Sequence, residues 1–437
     1  MRWRDALARI ARVRLTARGI GAACTGGVLV PLGLALALPD LVGLGGAALL
    51  VVAVSWTVIG TQRLETGRGA LHVTRAVAPN PVVRGRTADV RLLVAARRAG
   101  GAAYERLSRL RLSEQAAHEL AGRQGIRAHV SARADRISVH YVLTPTRRGR
   151  WSLGPLLTTR TDVFGLVRAT QPLGGATHVP VWPRTVELAV RTRSVGDVDR
   201  SATGARLQST DDSVLREYVA GDDPRRVHWA SAARRGRLMV RADESAGVRP
   251  VTVLLDRSLL PHSQESGSMR RPAAVDDGEW AVELAASIAT SFLDAGHPAR
   301  LLPTSVAPSL EGIRFAATRA SRSALLDACV DIRGHRGSGD GQHATSTTAR
   351  ALRLARTPGE IVVAMLGPQS PDTRHDLAAL GAEGTCWALL VAPRGPGLRN
   401  DLDGTARELR ASGWHVSVTE ARAEPERAWA LLAERAL

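Results

Sequence analysis

From Gly19 to Gly60 the chain carries one formal charge, Asp40, and the adjoining Pro39 splits the run into two apolar segments of about 20 residues each. At about 1.5 Å per residue, either segment can cross a hydrocarbon core of roughly 30 Å as a helix. The pattern predicts a transmembrane helical hairpin that turns at Pro39-Asp40. There the carboxylate of Asp40 stays hydrated, whereas at mid-bilayer it would cost on the order of 3 kcal/mol. Gly43, Gly45, Gly46 and Ala47 read as a helix-packing strip. A cleaved signal peptide ending near Ala35-Leu36-Ala37 is the competing reading, and the second spanning-length segment that follows at once argues against it.

Beyond the hairpin the apolar period shortens. "ADVRLLVAA", "RISVHYVLTP", "GRWSLGPLLTTRTDVFGL" and "HVPVWP" read as strands separated by turn formers, with "RRAGGAAYER" as a surface loop and a helix around "SRLRLSEQAAHELAG". After Val248 the pattern changes again. "VTVLLD", "ARLLP", "IVVAML" and "CWALLV" are continuous apolar runs suited to strands buried on both faces, and "WHVSV" repeats the signal. Amphipathic stretches separate them. In the first, Trp280, Leu284, Ile288 and Phe292 recur every four residues, with Asp276 or Asp277 as a cap and Gly296 as the stop. "GHRGSGDGQHATSTTAR" has the composition of a loop.

The expected architecture is a membrane-anchored α+β multidomain chain. Residues 1–18 form a basic N-terminus, 19–60 two transmembrane helices, 61–184 a small β-sandwich-like domain, 185–247 a signature segment and 248–437 an α/β, Rossmann-like domain.

Charge sets the orientation. Arg2, Arg4, Arg9, Arg12, Arg14 and Arg18 precede the first apolar segment, Arg63, Arg68 and Arg75 follow the second, and the intervening turn has none. By the positive-inside rule both termini are expected in the cytoplasm. The formal net charge of +18 is otherwise weak evidence for a polyanion partner, because the chain has no lysine and its arginines accompany an equal excess of Ala and Gly. Cys24, Cys329 and Cys386 have neither disulfide-framework nor zinc-site spacing.

The densest chemistry lies in "REYVAGDDPRRVHWASAARRGRLMVR", Arg216 to Arg241. "VLREYV" and "GRLMVRA" read as extended flanks around a short helix, with Asp222 or Asp223 as its cap and Pro224 in its first position. Glu217, Asp222 and Asp223 are natural partners for Arg216, Arg225, Arg226 and Arg234. No nucleophile elbow, phosphate loop or metal triad accompanies them, so the stretch reads as non-catalytic. The interleaved acids also disfavour nucleic acid. An ion-paired knot with Trp229 as its anchor remains, serving structure or docking.

This stretch resembles the signature of the domain of unknown function 58 family, carried here by Arg216, Glu217, Tyr218, Gly221, Asp222, Arg225, Val227, Trp229, Ala233, Arg234 and Leu238. "RRGRWSLGPLLTTRTDVFGL" is similar to the family's upstream Asp-x-Phe-Gly-Leu segment, and "VTVLLDRS" to its following von Willebrand factor A-like strand. The resemblance implies a membrane-anchored protein without assigned enzymatic activity that works beside a MoxR-type AAA+ ATPase. It also implies a place for a divalent cation such as magnesium, in the pattern Asp-x-Ser-x-Ser completed by a Thr and a further Asp. Asp256 and Ser258 match, but Leu260 replaces the second serine and Gly367-Pro368 stands where an acid would follow "IVVAML". The metal site is therefore expected to be degenerate and no cofactor is expected. The leading expectation is a non-enzymatic membrane-anchored scaffold or adaptor for the ATPase or its client, bound through the signature. The alternative is a module that grips an anionic ligand or nucleic acid with its arginines.

Overall fold

The computed structural model describes residues 13–61, 64–66, 70–98, 100–108, 110–122, 125–133, 135–190, 215–217, 229–241, 249–261, 272–308, 315–318, 321–335, 340–392 and 399–434. It is an α+β protein with two apolar N-terminal helices and several sheets, divided into two compact units, Met1–Trp182 and Pro183–Leu437.

In the first unit a short strand β1 (Val13–Leu15) leads into helices α1 (Ala17–Ala35) and α2 (Pro39–Thr61), both long and apolar enough to cross a membrane. Thr16 caps α1, its Oγ1 accepting from the Gly19 amide at 3.2 Å. Buried Gly19, Gly26 and Gly33 recur every seven residues on α1, as do buried Gly45, Val52 and Ile59 on α2. Close approach requires the glycines: a Cβ on Gly26 would lie 2.8 Å from the Gly45 carbonyl oxygen. Gly43 and Gly46, expected in the same strip, face open space. The outer faces expose Val28, Leu32, Leu44, Leu50 and Val54. The chain reverses at Leu36–Leu38, not at Pro39-Asp40, with Ala37 in the left-handed region (φ 52°). Pro39 and Asp40 instead open α2, where a fixed φ suits the first position and an acid complements the helix dipole.

Two sheets follow. One has the order β1-β9-β8-β10-β3, built from β3 (Val82–Val83), β8 (Gly149–Thr161), β9 (Val167–Leu173) and β10 (Thr177–Trp182), with β5 (Arg111–Ala116) also paired to β8. The other runs β2-β4-β7-β6, from β2 (Leu71–Ala78), β4 (Ala88–Ala96), β6 (Ala128–Ala132) and β7 (Arg136–Leu143). Along β7 exposed and buried residues alternate strictly, the period-2 signature of a half-buried strand. Val90, Leu92 and Tyr141 of this sheet share one core with Leu153, Leu156 and Val181 of the other.

Two sequence expectations fail here. "RRAGGAAYER" is not all loop, since α3 spans Gly101–Ser108. "RLSEQA" is not helical: Arg111–Ala116 is strand β5, and after it only α4 (His118–Ala121) is helix. Inward-facing Glu114, paired with Arg75 at 2.6 Å, hides the alternation that would have marked a strand.

The second unit begins with an extended strap. The amides of Arg184, Val186 and Leu188 donate to side chains of Glu283, Ser287 and Ser291 on helix α6 (Pro272–Asp294) at 3.0, 3.0 and 2.9 Å. Every second strap residue thus meets every fourth helix residue, because about 6.6 Å of extended chain nearly matches about 6 Å of helix rise. Strands β11 (Leu215–Glu217) and β12 (Met239–Arg241) pair antiparallel, with α5 (Trp229–Arg235) between them in sequence.

The rest is a five-stranded, all-parallel sheet of order β14-β13-β15-β16-β17, from β13 (Val251–Leu255), β14 (Ala299–Pro303), β15 (Ile361–Leu366), β16 (Cys386–Ala392) and β17 (His415–Glu420). Its helices are α6 (Pro272–Asp294), α7 (Ser321–Val330), α8 (Asp340–Leu354), α9 (Pro371–Ala382), α10 (Arg399–Ala411) and α11 (Pro425–Glu434). Helices α8, α9 and α10 share a core with one sheet face, through Leu352, Leu377 and Leu409. Phe292 of α6 and Trp387 of β16 both meet the ring of Trp429 on α11, at 5.7 and 5.8 Å.

Asp276 and Asp277 are not the cap of α6, which starts a turn earlier at Pro272; they pair with Arg422 at 3.2 and 2.7 Å. The "DGQHATSTTAR" part of the expected loop is helix α8. Thr345 and Thr348 return their hydroxyls to the carbonyls of Gly341 and Ala344, at 3.1 and 2.7 Å, so a face that reads as polar is buried.

His297, buried after α6, accepts at Nδ1 from the Arg249 amide at 3.2 Å. Burial, more than the nearby Arg249 charge, holds its pKa below the usual histidine value, while the Arg249 carbonyl, 3.1 Å from Nδ1, partly offsets this by favouring a protonated ring nitrogen. The folded state then binds fewer protons than the unfolded chain, whose histidine titrates near about 6.5. Stability is accordingly expected to fall as pH drops below about 6.5 and to level off above it. Denaturant midpoints across that range should show a shallower slope in His297→Gln than in the native chain.

Candidate functional site

In an open parallel sheet the ligand crevice lies beyond the carboxyl ends of the strands, where the strand order reverses. Here that is the point between β13 and β15, occupied by Asp256 and Gly367. Asp256 is fully buried, and its backbone amide donates to the Met365 carbonyl at 2.9 Å, closing the gap between the two strand ends.

Both carboxylate oxygens of Asp256 face N–H donors. Oδ1 accepts from the Ser258 amide at 2.8 Å and caps the 3-10 turn Arg257–Leu259. Oδ2 accepts from the Gly367 amide at 3.1 Å and from the Gln369 side-chain amide at 2.8 Å. The same Gln369 nitrogen donates to the Gly367 carbonyl at 3.1 Å, while the Gln369 backbone amide donates to Thr405 Oγ1 at 3.1 Å. The amide of Gln369 thus bridges the two strand ends.

On the flank, Thr304 Oγ1 accepts from the Arg257 amide at 3.0 Å, and His335 Nε2 lies 3.4 Å from that hydroxyl. The Arg257 guanidinium turns away to the carbonyls of Arg333 and Gly334, at 2.5 and 3.2 Å, and burial lowers its pKa. Gln369, Thr304 and His335 were not singled out in the sequence. The available signal for Gln369 was its place two residues after the Gly367 that ends a central strand.

These residues do not fit a divalent cation. A hard cation needs several oxygen lone pairs directed at one point, whereas Asp256 receives three N–H groups. Among the described residues no group of three or more His, Cys, Asp or Glu side chains could hold a metal.

At the signature, Leu215 pairs with Arg241, Arg216 with Val240 and Glu217 with Met239, so Leu215–Glu217 and Met239–Arg241 of the expected flanks are extended. Tyr218, Gly221, Asp222 and Arg225, with the helix start expected near Pro224, lie outside the described residues. Helix α5 opens with Trp229, which is 68% exposed, and also exposes Arg234. Gly236, at φ 67°, ends it and returns its amide to the Ala232 carbonyl at 2.9 Å, the left-handed stop that glycine supplies. The indole therefore stands on the surface, where the sequence reading placed a knot's anchor.

No curated protein matches the chain. Among solved structures the chain is similar to proximal thread matrix protein 1 (PTMP1) from the mussel byssus, at 17% identity and a TM-score of 0.29, with 43% of this chain and 48% of that one covered. A further structure of PTMP1, with a zinc-occupied MIDAS motif, gives 16% identity and a TM-score of 0.30 over the same shares. The chain thus spans about half the length of PTMP1. A mutant of the PilB minor pilin from Streptococcus sanguinis gives 7% identity and a TM-score of 0.30, with 86% and 88% covered. Residues 214–389, which include β11, α5 and the Asp256 end of the parallel sheet, match the family model described as protein of unknown function DUF58.

Proposed function

We propose that the chain is a non-enzymatic membrane-anchored scaffold or adaptor, held in the cytoplasmic membrane by α1 and α2 with both termini in the cytoplasm. It docks a MoxR-type AAA+ ATPase, or that ATPase's client, through α5. On this reading the two sheets of the first unit form a sandwich and the parallel sheet is a von Willebrand factor A-like domain that has lost its metal site. The observation that carries docking is Trp229: a large apolar ring at 68% exposure, within the family-matched span, beside exposed Arg234. Trp and Arg are the residue types most enriched at binding hot spots. The amide-filled switch point supports a binding role over catalysis, because the crevice such sheets use for ligands is closed by the chain's own Gln369.

The test is binding of the full-length chain, in lipid nanodiscs, to a purified MoxR-type ATPase. Trp229→Ala is expected to weaken it at least about tenfold, the equivalent of losing about 1.4 kcal/mol, with an unchanged melting temperature. Equal binding by the variant would reject docking through α5. Binding of oligonucleotides instead, with affinity falling steeply as salt rises, would favour the anionic-ligand reading.

A further inference from the structure

The turn between β8 and β9 carries two adjacent apolar residues at its tip, Val163 at 72% and Phe164 at 64% exposure. The turn is firmly held. Asp162 accepts from the amides of Phe164 and Val167 at 3.1 and 2.7 Å, and its carbonyl accepts from the Gly165 amide at 3.1 Å. Gly165, at φ 75°, completes the reversal.

The turn is also fixed to the ends of the apolar helices. Thr16, the cap of α1, donates its hydroxyl to the Gly165 carbonyl at 2.5 Å and its amide to the Leu166 carbonyl at 2.9 Å. A Cβ on Gly19 would lie 2.0 Å from the Leu166 carbonyl oxygen, so the first turn of α1 rests directly on this backbone. At the other helix, Arg160 Nη2 donates to the Ile59 carbonyl at 2.6 Å near the end of α2. The tip and both helix ends therefore share one level.

Phe164 and Val163 line a cleft of about 430 Å³ together with Val54 and Val58 of α2. Val54 and Val58 are themselves exposed apolar residues within the last two turns of α2. At about 1.5 Å per residue α2 is about 34 Å long, roughly one turn more than a hydrocarbon core of about 30 Å requires, so its end reaches the interfacial layer. The exposed valines of α2 thus lead to the turn along a cleft that Glu105, Arg106, Arg160 and Asp162 also line, as suits an interfacial and not a hydrocarbon level, and Arg14 and Arg18, at the entry to α1, suit an anionic headgroup layer there.

We infer that the Val163–Phe164 turn is a membrane wedge, its side chains seated in the interfacial layer of the bilayer beside α1 and α2. The inference rests on the anchoring reading. It gives the β unit a second attachment, so that the hairpin holds the chain in the membrane and the turn restrains how the β unit stands on the surface.

Spin labels test it in the full chain, reconstituted into vesicles of phosphatidylcholine and phosphatidylglycerol, in a Cys24→Ala background. Labels replace Val163, Phe164, Val58 as the interfacial reference, Leu50, exposed at the middle of α2, as the bilayer reference and Val130, exposed on β6 of the same unit, as the solvent reference. The readout is the ratio of collisions with oxygen to collisions with a water-soluble nickel chelate. Positions 163 and 164 are expected to give a ratio several-fold above that at 130 and close to that at 58. If they match 130 while 50 reads as lipid, the wedge is wrong and the anchor stands. If 50 also reads as water, anchoring and wedge fall together.

Discussion

Replacing Glu360 with alanine should destabilise the parallel-sheet unit by about 3–5 kcal/mol, a large part of the roughly 5–15 kcal/mol that holds a typical domain together. Glu360 and Arg300 are both buried. Glu360 Oε1 accepts from Arg300 Nη2 at 2.9 Å and from the Thr252 hydroxyl, and Oε2 accepts from the Thr357 amide at 2.8 Å. Arg300 Nε in turn donates to Thr252 Oγ1 at 2.6 Å, and its guanidinium lies 4.3 Å from the Phe315 ring centroid. Because Thr252 and Arg300 are paired across β13 and β14 while Glu360 immediately precedes β15, the cluster fastens three strands at their amino ends. Removing the carboxylate leaves a guanidinium in the interior without its counter-charge, and that penalty, more than the lost attraction, sets the size of the effect. For a unit of this length the melting temperature should fall on the order of 10 °C. The double variant Glu360→Leu, Arg300→Met removes both charges and should melt within a few degrees of the native chain. If it melts as low as Glu360→Ala, the cluster stabilises by attraction and the desolvation argument is wrong.

The elements legible in the sequence were those whose burial one residue type could report. Apolar residues fill β13, β15 and β16 with Thr252 as the one polar exception, and the run before Gly60, charged only at Asp40, becomes α1 and α2. Where polar atoms are satisfied internally, the pattern misleads. Thr345 and Thr348 hide the buried face of α8, and Glu114 hides the inward face of β5. The hairpin turn was misplaced by three residues because Pro39 suits a helix start as well as it suits a turn.

At the candidate sites the legible part was narrower. Asp256 could be placed from strand geometry, but not its neighbours, since a glutamine between two prolines has no period to mark it. Trp229 was visible as an unusual residue in a dense stretch. Its exposure depends on how α5 sits, which a seven-residue helix cannot signal through periodicity.

Asp256→Ala is the second large effect expected, at the opposite end of the same sheet. It removes the acceptor of three donors, the amides of Ser258 and Gly367 and the side-chain nitrogen of Gln369, in a site closed to solvent. A buried donor left without its acceptor costs about 1–3 kcal/mol, so the variant should lose at least about 3 kcal/mol even after the vacated space relaxes. Gln369→Ala should lose less, because the carboxylate keeps both backbone donors and loses only the side-chain N–H that bridges it to the Gly367 carbonyl. The ranking separates two accounts of the site. If Asp256 acts as an acceptor that locks β13 to the turn after β15, the native chain's melting temperature should not move with added magnesium or manganese, and hydrogen exchange in both variants should speed first at residues 256–259 and 366–369. If Asp256 instead holds a cation, the divalent ions should raise the native melting temperature, leave Asp256→Ala unmoved, and act more strongly on Gln369→Ala, whose carboxylate has lost a competing donor. The three N–H groups around Asp256 argue for the first outcome, since each supplies part of the positive charge a cation would bring and none can leave without breaking a strand connection.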